Sequence, residues 1–374
     1  MKPTSEESGG PDYARRVNVV RETMDARGLD CLLLCSRENI RYLFGFTGSN
    51  GWAIITPEGS SFLTDSRYDE QAHAEVVDCD VHISTTGLPE VAATRLQRCG
   101  SVSVGFESDT MTVATLRTVE KTLRETAPDL VLVPVQQIVE SARSIKEGFE
   151  IAAISAASAL LDGAMEHART IVHVGMTEQA LAWQIERWLR EHGSGPMPFP
   201  PIVAAGAHCA HPHASPGNIG IGCGEPILID IGAIVDGYCS DLSRTLFAGQ
   251  PNEEMERVYS AVLEAQQSAI DGIRAGMTAT EADACARDVI RNAGYGDSFG
   301  HGLGHGVGLA IHERPTLSSL SRDVLKEDMV FTIEPGIYVR GLGGVRIEDT
   351  VVLRGSGVQQ LTRTGKRDPV CTSC

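Results

Sequence analysis

The sequence predicts two domains: an α/β domain, then an α+β domain with an internal pseudo-twofold repeat. Three observations predict this. Helical and extended apolar patterns alternate from Tyr13 to Pro134, as in a layered α/β unit. A glycine-methionine-threonine triplet occurs at Gly175 and again at Gly276, each time between two helical patterns. Four acids and a histidine able to bind metal follow one another in the second part, as Asp230, Asp241, His305, Glu334 and Glu348. At 374 residues the chain exceeds one ordinary core, so two domains are expected, 1–143 and 144–374.

Residues 1–10 are polar and read as a disordered tail. Tyr13 to Arg27 carries Val17, Val20 and Met24 at helical spacing, and Gly28 is a good stop. Leu29 to Cys35 is continuously apolar, as in a strand covered on both faces. Gly51–Ile55 and Ser61–Thr64 read as strands joined by the turn Pro57-Glu58-Gly59. Leu96–Phe106 and Leu130–Pro134 read as further strands, with a helix over Val113–Glu125. A boundary is expected near Ser141–Glu147, followed by a long Ala- and Leu-rich helix over Glu147–Val172. In each copy of the repeat the glycine ends one helix, and the threonine caps the next with an acid shortly after. Duplication of a helix–cap–helix unit with its strands would place the acids between two halves. Trp183 and Trp188, five apart on a helix, read as packing residues.

Composition narrows the function. A net charge of −17 argues against nucleic acid and anionic membrane surfaces, which need clustered Lys and Arg. No run approaches the roughly 18 apolar residues of a membrane helix. The first dozen residues lack the apolar core of a signal peptide. Ten cysteines without framework spacing read as reduced thiols, so a cytoplasmic setting is expected. Cys371 and Cys374 have metal-like spacing but no second pair, and are not read as a zinc site. Gly302-Leu303-Gly304 has no Lys or Arg beside it and is not read as a phosphate loop.

The five metal-type residues carry the chemistry. Asp230 and Asp241 are eleven positions apart around the turn signal Asp236-Gly237, so a hairpin with one acid on each strand is expected, its carboxylates face to face. Glu334 and Glu348 repeat the arrangement, each ending a short apolar run, and His305 lies between the pairs with glycines on both sides. Buried carboxylates repel one another and cost several kcal/mol each without a counter-charge. Oxygen-rich ligands with a single imidazole suit Mn²⁺, Co²⁺, Fe²⁺ or Zn²⁺ better than copper or thiolate-loving metals.

On these residues and their neighbours G-Y-C-S-D, G-H-G-V-G, E-P-G and R-I-E-D, residues 144–374 resemble the pita-bread metallopeptidases, which include prolidase, aminopeptidase P and methionine aminopeptidase. Residues 11–140 resemble the creatinase/prolidase-type N-terminal domain, on N-I-R-Y-L-F-G-F-T-G-S-N-G from Asn39 and T-D-S-R-Y from Thr64. The resemblance implies two divalent ions, Mn²⁺ first, with Asp230 on one, His305 and Glu334 on the other, and Asp241 and Glu348 bridging. It implies a metal-bridged hydroxide as nucleophile, with Glu334 taking its proton. His213 and His312 would hold the substrate, and Tyr338 and His301 would assist proton transfer or orient the bound groups. Arg346 would meet the substrate side and offset excess carboxylate charge. The implied reaction is cleavage of the amide bond before proline in dipeptides or short peptides, by a homodimer whose N-terminal domain narrows access. A same-fold hydrolase of another small amide or C–N bond is the alternative. A binding module is the third reading, and retention of all five ligand residues counts against it. His208 and His211 have no matched role.

Overall fold

The computed structural model describes residues 10–98, 100 and 102–372, which form two units, Gly10–Arg143 and the chain from Ser144 onward. Residues 1–9 of the expected disordered tail lie outside the described residues. The first unit contains α1 (Tyr13–Ala26), β1 (Cys31–Leu34), α2 (Arg37–Phe44), β2 (Trp52–Ile55), β3 (Ser60–Asp65), α3 (Asp69–Glu75), β4 (Asp80–Ser84), α4 (Leu88–Arg98), β5 (Ser103–Glu107), α5 (Val113–Thr126), β6 (Val131–Val135) and α6 (Val139–Arg143). Its mixed six-stranded sheet has the order β4-β3-β2-β1-β5-β6. Cys31 and Leu33 of the central strand share a core with Ala92 and Leu96 of α4 and Val119 of α5. Leu32 and Leu34, of opposite parity, are also fully buried, so the strand is covered on both faces.

Several expectations for this unit change. Leu96 to Arg98 close α4 rather than open a strand, because Leu96 completes the helical apolar set Leu88, Ala92, Ala93, and extended structure starts at Ser103. The short elements α2, α3 and β4 have no counterpart in the sequence reading. The turn at Pro57-Glu58-Gly59 closes as expected, with Thr56 N–H donating to Gly59 O at 2.9 Å.

The second unit contains α7 (Gly148–Ile171), α8 (Glu178–Glu191), β7 (Ile202–Ala205), β8 (Pro226–Val235), β9 (Tyr238–Ala248), α9 (Glu253–Gly272), α10 (Ala279–Asn292), β10 (Gly304–Gly306), β11 (Glu313–Leu317), β12 (Val330–Ile333), β13 (Gly336–Val339), β14 (Gly343–Arg346), β15 (Asp349–Arg354), β16 (Gly357–Gln360) and β17 (Val370–Thr372). One helix pair, α7 and α8, packs on the sheet β17-β9-β8-β7; the other, α9 and α10, packs on strands β12 to β15. The two halves repeat hydrogen bonds as well as elements. Gly175 N–H donates to Ile221 O, and Ile221 N–H to Met176 O; Gly276 N–H donates to Leu325 O, and Leu325 N–H to Met277 O. Both glycines have positive φ, 86° and 91°, which glycine adopts without strain.

Among the described residues, α7 alone is long and apolar enough to cross a membrane by length and composition. Its Ala157, Leu161, Ala164, Met165 and Ala168 pack against β8 and β9, so it serves as a core helix. Trp188 packs at the edge of that core, whereas Trp183 is 60% exposed and is not a packing residue. Cys223 is disulfide-bonded, which departs from the expectation of reduced thiols throughout, while seven other cysteines among the described residues are free. Cys374 lies outside the described residues.

Candidate active site

Strand alternation builds the site. On β8, Ile227, Ile229, Ile231 and Ala233 face the helices, which turns Asp230 to the opposite face. On β9, Leu242, Leu246 and Ala248 face the helices, which turns Asp241, Ser243 and Thr245 the same way as Asp230. The Asp236-Gly237 turn forms with positive φ at both residues, 49° and 81°. The resulting register pairs Asp230 with Ser243 and Gly232 with Asp241, so the two aspartates stand on a diagonal rather than face to face. The placement of the turn sets that offset. Direct opposition would need the two-residue loop one position earlier in the chain.

The other half mirrors this. Phe331, Ile333, Val345, Ile347, Val351 and Leu353 enter the core, leaving Thr332, Glu334, Arg346, Glu348 and Thr350 on the opposite parity. β12 pairs with β15 up to Ile333–Asp349, and β13 with β14 from Gly336–Arg346, so the ladder is interrupted where Glu334 and Glu348 sit. There Glu334 N–H donates to Leu303 O at 2.8 Å and Glu348 N–H to Ser243 O at 3.0 Å.

Threonine hydroxyls join β9 to the facing strands. Thr350 Oγ1 accepts from Asp241 N at 3.1 Å and donates to Asp241 O at 2.8 Å. Thr245 Oγ1 accepts from Arg346 N at 3.1 Å and donates to Arg346 O at 3.2 Å. Between them Ser243 Oγ donates to Glu348 Oε2 at 2.6 Å. This seam is not legible in the sequence, because its partners are about a hundred residues apart.

The acids and imidazole converge. Asp241, His305 and Glu348 each offer a ligand atom, all within 4.8 Å of one another. His305 Nε2 is 3.4 Å from Glu334 Oε1 and 3.7 Å from Asp241 Oδ2. His305 Nδ1 donates to Gly306 O at 3.1 Å, which leaves Nε2 with its lone pair facing the carboxylates. The flanking glycines are required: a Cβ at Gly304 would run into Thr332 O, and one at Gly306 into Arg314 O. Asp230 accepts from Arg346 Nη2 at 2.5 Å. Arg346 also reaches Tyr338 OH at 2.8 Å, Pro212 O at 3.1 Å and Ser243 Oγ at 2.9 Å, so every nitrogen is engaged. His301 Nε2 lies 3.0 Å from Tyr338 OH, which extends a polar chain from His301 through Tyr338 and Arg346 to Asp230.

Burial, then repulsion from neighbouring carboxylates, raises the pKa of Asp241 and Glu348; burial also raises that of Glu334. Burial lowers His301, His305 and His312, and pushes Tyr338 up to about 12. Asp230 Oδ1 and Glu348 Oε1 are buried without a hydrogen-bond partner. Two orphaned carboxylate oxygens beside an imidazole lone pair fit divalent cations.

Asp230, Asp241, His301, His305, Glu334, Arg346 and Glu348 line a cavity of about 530 Å³ whose walls include Phe199, Pro200, Pro201, Ile202, His213 and His312. His312 meets the His305 ring edge-on, with centroids 4.3 Å apart. The Asp283–Arg287 pair, which the sequence does not reveal, holds the His301 segment: Arg287 donates to Phe299 O and His301 O, and Asp283 accepts from Leu303 N. An (i, i+4) acid–arginine pair on a helix gives no signal beyond an ordinary ion pair.

The chain matches the family model for metallopeptidase family M24 over residues 152–355 and that for the creatinase/prolidase N-terminal domain over residues 16–145. It is 33% identical over 350 residues to a Xaa-Pro dipeptidase of Pyrococcus horikoshii, covering 93% of this chain and 97% of the relative. A solved Xaa-Pro dipeptidase from Bacillus anthracis superposes with a TM-score of 0.92 at 35% identity, covering 96% of this chain and all of that one. An X-Pro aminopeptidase from Thermotoga maritima superposes with a TM-score of 0.83 at 34% identity, covering 92% and 98%. The chain belongs to metallopeptidase family M24, as a metal-dependent peptidase with a creatinase/prolidase-type N-terminal domain.

Proposed function

We propose that the protein hydrolyses the amide bond preceding proline in dipeptides or short peptides, as a Xaa-Pro dipeptidase or aminopeptidase. The observation that carries the reading is the convergence of acids from both halves on His305, with two buried carboxylate oxygens left without partners. Similarity to named Xaa-Pro dipeptidases along nearly their whole length supports the substrate class.

Asp230, Asp241, His305, Glu334 and Glu348 would hold two divalent ions, Mn²⁺ being our first choice, with Asp241 and Glu348 shared between them. Such a pair supplies Lewis acidity and a water of lowered pKa. The protein's own groups manage binding and protons. Hydrolysis takes a proton from the nucleophile, and the proline nitrogen must gain one before it leaves. Glu334, whose proton affinity is raised by burial, is suited to carry it. His213 and His312, both lining the cavity, would hold the substrate, and His301 with Tyr338 would orient the reacting groups. The wall Phe199–Ile202 suits an X-Pro amide, which has no N–H to satisfy.

Among the described residues lining the cavity, Arg346 is the only Lys or Arg, and its nitrogens already have partners. A dipeptide's free carboxylate would need another cation, and Arg314, the nearby choice, is ion-paired with Asp323. A panel of Ala-Pro, Gly-Pro, Ala-Pro-Pro and Ala-Ala with added Mn²⁺ tests the reading. Cleavage of proline peptides alone supports it, and cleavage of Ala-Pro-Pro at its first bond assigns an aminopeptidase. Cleavage of none of them would favour the small-amide alternative. A cytoplasmic homodimer completes the proposal; the free thiols favour that compartment and the Cys223 disulfide counts against it, and analytical ultracentrifugation tests the assembly.

A further inference from the structure

We propose that Glu178 is a positioning residue whose buried carboxylate staples the segment 205–217 and so fixes His213 and the adjoining cavity wall. This rests on reading the cavity as the peptide cleft. Glu178 follows Thr177, the N-cap of α8. In the other half the position after the capping threonine is Ala279, and the nearest acid, Glu281, stands two places further on and turns back onto its own helix, accepting from Thr278 N at 2.8 Å in a capping box. Glu178 turns outward instead, although its side chain is fully buried. Its Oε1 accepts from Ala205 N at 2.7 Å and His208 Nδ1 at 2.9 Å, and its Oε2 from Gly217 N at 2.9 Å. One carboxylate thus holds both ends of the segment.

Between those ends lie Pro212, His213, Ala214, Ser215 and Pro216, all of which line the cavity. Pro212 O accepts from Arg346 Nη1 at 3.1 Å, so the segment also touches the polar chain to Asp230. Its regular structure is limited to the 3₁₀ turn Gly206–Ala210. A segment with little internal structure depends on its end contacts for position, and charge-assisted hydrogen bonds are the strong kind. Glu178 contacts neither the metal-type acids nor, by these bonds, His213 itself. Its effect is on where His213 stands.

Glu178→Gln tests this in the full chain with Mn²⁺ added, because its amide nitrogen cannot accept from Gly217 N. Hydrogen exchange should quicken across 205–217 while α8 stays protected. KM for Ala-Pro should rise about tenfold with kcat within about threefold, the pattern of lost substrate binding without lost chemistry. Bound metal per chain should not change. Unaltered exchange and KM, or a fall in kcat accompanied by metal loss, would overturn the proposal. Should Glu178→Gln not fold, Glu178→Asp, which keeps the charge but shortens its reach, is read by the same measures with the same expected direction. If the unaltered protein cleaves no proline peptide, the cavity reading fails while the exchange measurement still decides the staple.

Discussion

Asp241, Glu334 and Glu348 are held where their charges are costly, and this has consequences at the level of single residues. Their folded-state pKa values lie above the ordinary 3.8 and 4.5, first because of burial. In metal-free protein the folded state therefore keeps protons that the unfolded chain releases. The stability associated with them is fully present below about pH 4 and is lost as pH rises through the folded values. Cations bound at the same oxygens replace those protons. Metal-stripped protein should thus lose thermal stability as pH rises above the ordinary carboxylate range, and protein loaded with Mn²⁺ should lose much less. Parallel curves would contradict the assignment. Asp241→Asn should remove activity by a factor of about a thousand or more, as expected of a shared ligand. It should leave metal-free stability no lower than before, because one repelling charge is gone. Two tightly bound ions per chain in that variant, measured by elemental analysis, would be incompatible with the bridging role. Tyr338→Phe breaks the link between His301 and Arg346, and should lower kcat roughly tenfold at about 1 kcal/mol of stability.

At the scale of elements, the seam between β9 and the strands carrying Arg346 to Thr350 sets the acids' spacing. Thr350→Val would leave the Asp241 N–H and C=O without their hydroxyl partner in a buried place, costing about 1–3 kcal/mol. Thr350→Ser keeps the hydroxyl and should recover most of it; denaturant midpoints of the two variants check this. The hairpin that carries Asp230 and Asp241 is legible because apolar alternation and Asp236-Gly237 are local signals. The diagonal of its two acids is not, since register follows from where the turn falls rather than from the acids' spacing. The end of α4 reads as strand because Leu96 suits either period on its own, and only Leu88, Ala92 and Ala93 settle it. The seam, the Asp283–Arg287 anchor and the outward turn of Glu178 depend on contacts between distant segments, which no local pattern encodes. His305 is legible through its flanking glycines, whose crowding by Thr332 and Arg314 gives the physical reason.

For the whole molecule, the repeat explains why a candidate metal centre arises here. Each half turns its apolar side chains to its own helix pair and its polar ones to the other half, so acids from two sheets meet at one seam. That seam lies wholly in the chain from Ser144 onward, together with the clusters that pack around it. The first unit has a separate core around Leu33, Leu96 and Val104. Lys146, near the start of the second unit, pairs in burial with Glu313 at 2.7 Å and so stays satisfied without residues before 144. A fragment of residues 144–374 should therefore unfold in one cooperative transition and bind Mn²⁺ with the same stoichiometry as the full chain. Calorimetry and metal titration on the purified fragment check both. A fragment that unfolds gradually, or takes up no metal while the full chain does, would show that the centre needs support from the first unit.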